Sequence, residues 1–81
     1  MNTRWQKPVL IAFETRGDYT SIETTQAASW AMIEDWPIED GDALDAALLV
    51  CAAVDAGRKK PEDARKAFIA AAIEAGLDIK A

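Results

Sequence analysis

The pair Trp36-Pro37 constrains the fold of this chain more than any other feature of its sequence. Proline lacks a backbone N–H and disfavours the helical region for the residue before it, so a helix that reaches this pair must end near Trp36. Strand-like residues lie well before the pair, and strongly helical residues follow it. We therefore expect an N-terminal part with strands and a C-terminal part with helices, which fold together at this break.

The N-terminal part contains two short segments that favour strands. Residues 9–13 are all apolar, which predicts a strand covered on both faces. Residues 14–18 supply turn chemistry, because glycine accepts positive φ angles and aspartate bonds its own backbone. Residues 19–22 then complete a β-hairpin. An isolated hairpin is marginal in water, so we expect a third strand, either from residues 77–79 or from a partner chain.

The first and third of three predicted helices have clear start and stop signals. The first begins with Thr24 or Thr25 as its N-cap and runs to the Trp36-Pro37 break. The third begins at Pro61, since proline is favoured at the first helical position, and ends at Gly76. Its stripe of small residues favours close packing against a neighbouring helix.

The second predicted helix is apolar around most of its circumference, which is typical of a buried helix. It covers residues 43–56, with Asp42 as its N-cap and Gly57 as the residue that ends it. A short connection then leads to the third helix, so we expect these two helices to form an antiparallel αα-hairpin. The predicted fold is α+β: an N-terminal β-hairpin followed by three helices.

Length and composition restrict the class of protein. A chain of 81 residues is long enough for one domain and too short to enclose a second core. No segment approaches the roughly 20 apolar residues of a membrane span, and the N-terminus has no signal-peptide pattern. The single cysteine, Cys51, cannot form an intrachain disulfide, which favours a reducing compartment. We predict a cytoplasmic protein.

The charge balance disfavours two classes of partner. The net charge is −5, and the only basic run is residues 58–60. Nucleic acids and anionic membranes both require a positive surface on the protein. We expect neither of them as a partner.

Catalytic and metal-binding patterns are weak. The chain has no histidine, which is the commonest general base and metal ligand. Cys51 lies among apolar helical residues and is interpreted as a buried hydrophobic residue. Glu39, Asp40, Asp42 and Asp45 lack the spacing of a calcium loop and are interpreted as a solvated loop with a helix cap. We therefore predict a protein that is not an enzyme, with no cofactor and no metal.

Several apolar residues of the second and third helices lie outside their main buried stripes. Large uncovered apolar area usually marks an interface. We predict a non-enzymatic interaction or regulatory module that self-associates as a homodimer and also binds a protein whose identity the sequence does not give. The candidate interface consists of Leu49, Ala53, Ile69 and Ile73.

An alternative function is a small-metabolite-binding domain near the Trp36-Pro37 break. Trp30 and Trp36 could stack a ligand, and Arg65 could supply a charge. Aromatic residues at a helix–loop junction belong more often to a core or an interface. The two tryptophans are therefore also candidates for the contact that joins the strands to the helices.

The chain resembles a small bacterial family called domain of unknown function 982. The resemblance is carried in family order by Pro8-Val9, Trp36-Pro37, Cys51, Gly57, Ala64-Arg65 with Ala67-Phe68, and Ala72 with Ala75-Gly76. It implies a small α and β domain and assigns no activity, cofactor or catalytic residue. The chain departs from the family pattern in its acidic loop at residues 38–42 and at Lys60, where that pattern leads us to expect a capping Ser or Thr.

Overall fold

A computed structural model describes residues 4–13 and 18–81 of the chain. The elements of this described part are β1 (Arg4–Ala12), β2 (Thr20–Thr24), α1 (Thr25–Glu34), α2 (Asp42–Asp55), α3 (Pro61–Glu74) and β3 (Asp78–Lys80). The predicted α+β order, two strands followed by three helices, is confirmed. Most of the predicted hairpin turn, residues 14–17, lies outside the described residues.

The three strands form one antiparallel sheet in the order β2-β1-β3. The third strand therefore comes from the C-terminus of the same chain, and its central residue Ile79 pairs with Ile11 of β1. β1 begins five residues earlier than the sequence predicted, at Arg4. The sequence did not predict the N-terminal half of β1, because Trp5 is its only buried residue and the residues around Trp5 are exposed.

The two faces of β1 are covered unequally, so the expectation that β1 is covered on both faces holds only in part. Val9 and Ile11 are buried, and Val9 pairs with Ile22 of β2, so these residues share the face on which the helices pack. Leu10 on the opposite face is half-buried between Ser21 and Lys80. Leu10 has polar neighbours on both sides, whereas Ala12, two residues further on the same face, is buried.

Phe68 of α3 is the centre of the core and is fully buried. The ring of Trp5 lies 5.9 Å from the Phe68 ring, and the ring of Trp36 lies 5.5 Å from it. Trp36 also meets Phe13 edge-on at 6.1 Å. Trp5 and Trp36 therefore join sheet and helices. The expected role of Trp30 in this contact is wrong, because its side chain lies on the exposed side of α1.

The ends of the helices follow their predicted capping signals in most cases. Thr24 caps α1, since its hydroxyl accepts a hydrogen bond of 3.0 Å from the Ala27 N–H. Gly57 and Gly76 both have positive φ angles after α2 and α3. Leu77 donates its N–H to the carbonyl of Ala72 at 3.0 Å, which closes α3 in a Schellman motif.

The predicted Asp42 cap of α2 is wrong. Asp42 is the first residue of the helix, and Gly41 before it has no side chain to act as a cap. Glu74, the last residue of α3, supplies the cap instead. Its two carboxylate oxygens accept hydrogen bonds from the N–H groups of Ala43 at 2.9 Å and Leu44 at 3.1 Å. The end of α3 thus lies beside the start of α2, and the two helices pack as the predicted antiparallel hairpin.

Candidate functional site

The four residues of the predicted interface differ in exposure. Leu49 on α2 is 73% exposed and Ile73 on α3 is 66% exposed. Ala53 and Ile69 are half-buried, and Ile69 packs against the core. Leu49 and Ile73 are therefore the members of this set that solvent reaches most.

Leu49 occupies the middle of a smooth helical face that we call the α2 outer face. Its exposed neighbours include Ala46 and Ala52 on α2 and Ala56 just after the helix, together with the charged Asp45 one turn before it. Alanine lets the backbone of another helix come close. Helix-wheel reasoning indicated Leu49 and Ala53 but not these alanines, because it weighed large apolar residues first.

Opposite charges flank the α2 outer face. Exposed Glu39 and Asp40 precede α2, whereas exposed Arg58 and Lys59 follow it. Acidic residues near the N-terminus and basic residues near the C-terminus also complement the helix dipole. The face therefore has an acidic end and a basic end, and between them lie Leu49 and its neighbouring alanines, with exposed Asp45 on the acidic side and exposed Asp55 near the basic end.

A cleft of about 590 Å³ lies between the N-terminal half of β1 and the first turn of α3. We call it the β1–α3 cleft. Four of its eight lining residues are basic and one is acidic, although the chain as a whole is acidic. The lining residues are Arg4, Trp5, Gln6, Lys7, Lys60, Pro61, Glu62 and Arg65. Sequence reasoning identified only Arg65, because the other basic residues come from separate segments.

Hydrogen bonds and ion pairs hold the walls of this cleft. The Arg65 Nε donates to the backbone carbonyl of Lys7 at 2.8 Å, which ties α3 to β1. At the start of α3, the Lys60 N–H donates to the carboxylate of Asp63 at 3.1 Å. Glu62 lies 3.9 Å from the exposed Lys66 ammonium, so part of its negative charge is compensated outside the cleft.

The three residues of the predicted metabolite site lie in different surroundings. Arg65 lines the β1–α3 cleft, whereas Trp36 packs against Phe68 in the core. Trp30 is 53% exposed on α1. The Trp36 indole Nε1 is buried without a hydrogen-bond partner in the described part of the chain. A ligand site formed jointly by these three residues stays a prediction, since neither tryptophan is among the residues that line the cleft.

Cys51 is a buried free thiol on α2, as the sequence predicted. Burial raises the pKa of the Cys51 thiol, a hydrogen bond with Ser29 opposes this shift, and the nearby carboxylate of Asp55 adds to it. Since the thiolate is the reactive form, these surroundings keep Cys51 inert near neutral pH.

The raised pKa of Cys51 predicts a loss of stability in alkaline solution. In the unfolded chain the thiol titrates near its ordinary pKa of about 8.5, whereas the fold keeps it protonated to higher pH. The stabilisation that the protonated thiol contributes to the fold is complete below about pH 8.5, and it is lost as the pH rises through the folded-state pKa. The urea midpoint, followed by tryptophan fluorescence, should be flat near neutral pH and fall from about pH 8.5 upward.

Cys51→Ala is the control for this pH profile. Tyr19 donates a hydrogen bond to the carboxylate of Asp78, and this bond raises the tyrosine pKa above its usual 10.0. In the variant, the urea midpoint should no longer fall from about pH 8.5 upward. Any decrease of the midpoint that begins near pH 10, where Tyr19 titrates in the unfolded chain, should remain. An unchanged profile in the variant would show that Cys51 is not responsible.

The acidic residues before α2 and in its first turn are not arranged as a metal site. Glu39, Asp40, Asp42 and Asp45 are all exposed. Within the residues that the structure describes, no group of three or more Cys, Asp or Glu side chains is arranged to hold a metal ion. None of the helices in that part of the chain has the length and apolar character needed to cross a membrane.

Comparison with known proteins places the chain in a family. The model of the family described as "Protein of unknown function (DUF982)" matches residues 7–79. Searches of curated proteins and of solved structures found no match. The matched range includes all of β2, α1, α2 and α3, together with most of β1 and β3. The chain therefore belongs to the DUF982 family.

Proposed function

We propose that this protein is a non-enzymatic interaction module of the cytoplasm, and that two copies associate through the α2 outer face. The observation that carries this proposal is the exposure of Leu49, 73% of whose side chain is open to solvent in the middle of a 14-residue helix. An exposed leucine alone is ordinary, but Ala46 and Ala52 on the helix and Ala56 just after it extend the apolar surface, with the carboxylate of Asp45 at its border. This surface suits close contact with another helix.

The charges around the α2 outer face favour a second copy of the chain as the partner that binds there. In a two-fold dimer, each residue faces the residue equally far from the axis in the other copy. A two-fold axis that passes beside Leu49 and is perpendicular to α2 sets the two α2 helices antiparallel. The acidic loop with Glu39 and Asp40 then approaches Arg58 and Lys59 of the other copy. Apolar contact in the middle and opposite charges at both ends support self-association.

The small size of the domain also favours a second copy of the chain as the partner. A chain of 81 residues buries only roughly 60–65% of its unfolded surface, and its stability is correspondingly modest. Pairing α2 with α2 removes more apolar area from water without adding residues to the core. Each copy therefore stabilises the other, by a contribution that depends on protein concentration.

The alternative function, binding of a small metabolite, is favoured by the β1–α3 cleft rather than by the tryptophans. The cleft contains Arg65 of the predicted set and adds three further basic residues to it. The two functions use separate surfaces, because the cleft is built from β1 and α3 whereas the α2 outer face belongs to α2 alone.

The dimer is tested by molar mass measured with light scattering after size exclusion. The wild-type chain should elute with twice its mass of 8.8 kDa. Leu49→Asp should elute as a folded monomer, because it places two unpaired carboxylates at the two-fold axis and weakens association by at least about tenfold.

Ile33→Asp is the matched control for this measurement. Ile33 is also strongly exposed, at 66%, but it lies on α1, so this variant should remain dimeric. Circular dichroism verifies that both variants are folded. A wild-type mass of 8.8 kDa at millimolar concentration would contradict the proposal, as would equal dissociation of the two variants.

A further inference from the structure

We infer that the β1–α3 cleft binds the phosphate group of a small organic molecule. The inference rests on the positive charge, the fixed donors and the size of the cleft. It is independent of the proposed dimer.

Positive charge is concentrated in the cleft, although the chain as a whole has a net charge of −5. Among the residues that the structure describes, four basic residues and one acidic residue line it. The four are Arg4, Lys7, Lys60 and Arg65, and Arg4 also lies 3.9 Å from the carboxylate of Glu23. A concave surface lined by charges of one sign focuses the field and raises the local concentration of oppositely charged ligands. The cleft is therefore suited to an anion.

Arg65 is held in place before any ligand arrives. Its Nε is engaged by the Lys7 carbonyl at 2.8 Å, which restricts the guanidinium plane at the cleft wall. This bond leaves the two terminal nitrogens to donate to another acceptor. A guanidinium held in this way can bind an oxyanion through two parallel hydrogen bonds at low entropic cost.

The start of α3 adds to the attraction for an anion. Pro61 is the first residue of this 14-residue helix and lines the cleft, so the positive end of the helix dipole lies at the cleft wall. Glu62 in the cleft opposes this effect, as does Asp63, whose carboxylate accepts the Lys60 N–H at 3.1 Å, and Lys66 pairs with Glu62 at 3.9 Å. The helix end therefore adds little to the basic side chains, and the inference does not rest on it.

A phosphate group fits this surface better than a carboxylate does. A phosphate ester carries a charge of about −1.5 to −2 at pH 7, so it satisfies several cations at once, whereas a carboxylate carries one charge. The volume of about 590 Å³ lies in the range of small-molecule sites and exceeds what a phosphate alone fills. The acidic remainder of the chain repels a long polyanion, so a small organic phosphate is favoured over nucleic acid.

Titration of the full chain with glycerol 3-phosphate, followed by amide NMR shifts, tests this inference. Saturable shifts should centre on Lys7, Glu62 and Arg65, and sodium chloride at matched ionic strength should not produce them. Lys60→Gln should weaken binding by about tenfold, because it removes a charged donor from the cleft. Lys80→Gln, which removes the same charge on β3 outside the cleft, should leave binding within about twofold.

A change in the opposite direction gives a second check. Glu62→Gln removes the one acidic group among the described residues that line the cleft and should tighten binding of glycerol 3-phosphate. These variants leave the Arg65 bond to β1 in place, so the walls of the cleft should persist. The inference is overturned if chloride reproduces the shifts, if succinate binds as tightly as glycerol 3-phosphate, or if Lys80→Gln weakens binding as much as Lys60→Gln does.

Discussion

Replacing Phe68 by alanine is expected to lower the free energy of unfolding by about 3–5 kcal/mol. Phe68 is fully buried, and the rings of Trp5 and Trp36 both lie against it. The substitution therefore removes apolar contacts from β1 and from the segment after α1 at the same time, and it leaves a cavity that these large rings cannot fill. For a domain of this size the loss is a large part of the total stability.

Urea unfolding followed by tryptophan fluorescence measures this loss, at one protein concentration for all variants. Ile73→Ala is the matched control, because Ile73 lies on the same helix with 66% of its side chain exposed. Its effect should stay within about 0.5 kcal/mol. Phe68→Leu keeps much of the volume and provides a folded variant if the alanine form does not fold. A loss below about 1 kcal/mol for Phe68→Ala would contradict the central place of this ring.

Glu74→Ala is expected to cost about 1–2 kcal/mol, the second largest effect. The Glu74 carboxylate accepts hydrogen bonds from the Ala43 and Leu44 N–H groups, and it also places negative charge at the positive end of α2. Removing it leaves these two donors without a protein acceptor. Glu74→Gln should cost less, because an amide oxygen can still accept one bond.

Gly41→Ala tests the same cap from the other side. A Cβ at position 41 would overlap the Glu74 carboxylate, so the substitution should displace this side chain and break the cap. In the wild-type background it should destabilise the protein, whereas in the Glu74→Ala background it should have little further effect. Equal and additive losses in the double-mutant cycle would show that Gly41 and Glu74 act independently.

The parts of the fold that sequence could predict depend on local signals. Pro37 stops α1, Thr24 caps its start, and Gly57 and Gly76 follow α2 and α3 as helix-ending glycines. Each signal acts within a few residues of the chain. The element order could therefore be read from the sequence without any knowledge of tertiary contacts.

The features that sequence missed all depend on distant partners. Trp5 is recognisable as a core residue only when Phe68 is placed beside it, and the cap of α2 comes from Glu74, about 30 residues along the chain. The β1–α3 cleft likewise joins Lys7 to Arg65 across 58 residues. Leu49 could be identified, because exposure on a helix follows from the local 3.6-residue period.

The proposed dimer can be observed directly in a sample that mixes isotope-labelled and unlabelled chains. Filtered NOE spectra detect only contacts between different copies. The antiparallel arrangement predicts contacts from the Leu49 methyl groups to Leu49 and Ala46 of the other copy. Contacts that instead join Leu49 to residues of α1, or a complete absence of intermolecular contacts at millimolar concentration, would contradict the proposal that two copies pair through the α2 outer face.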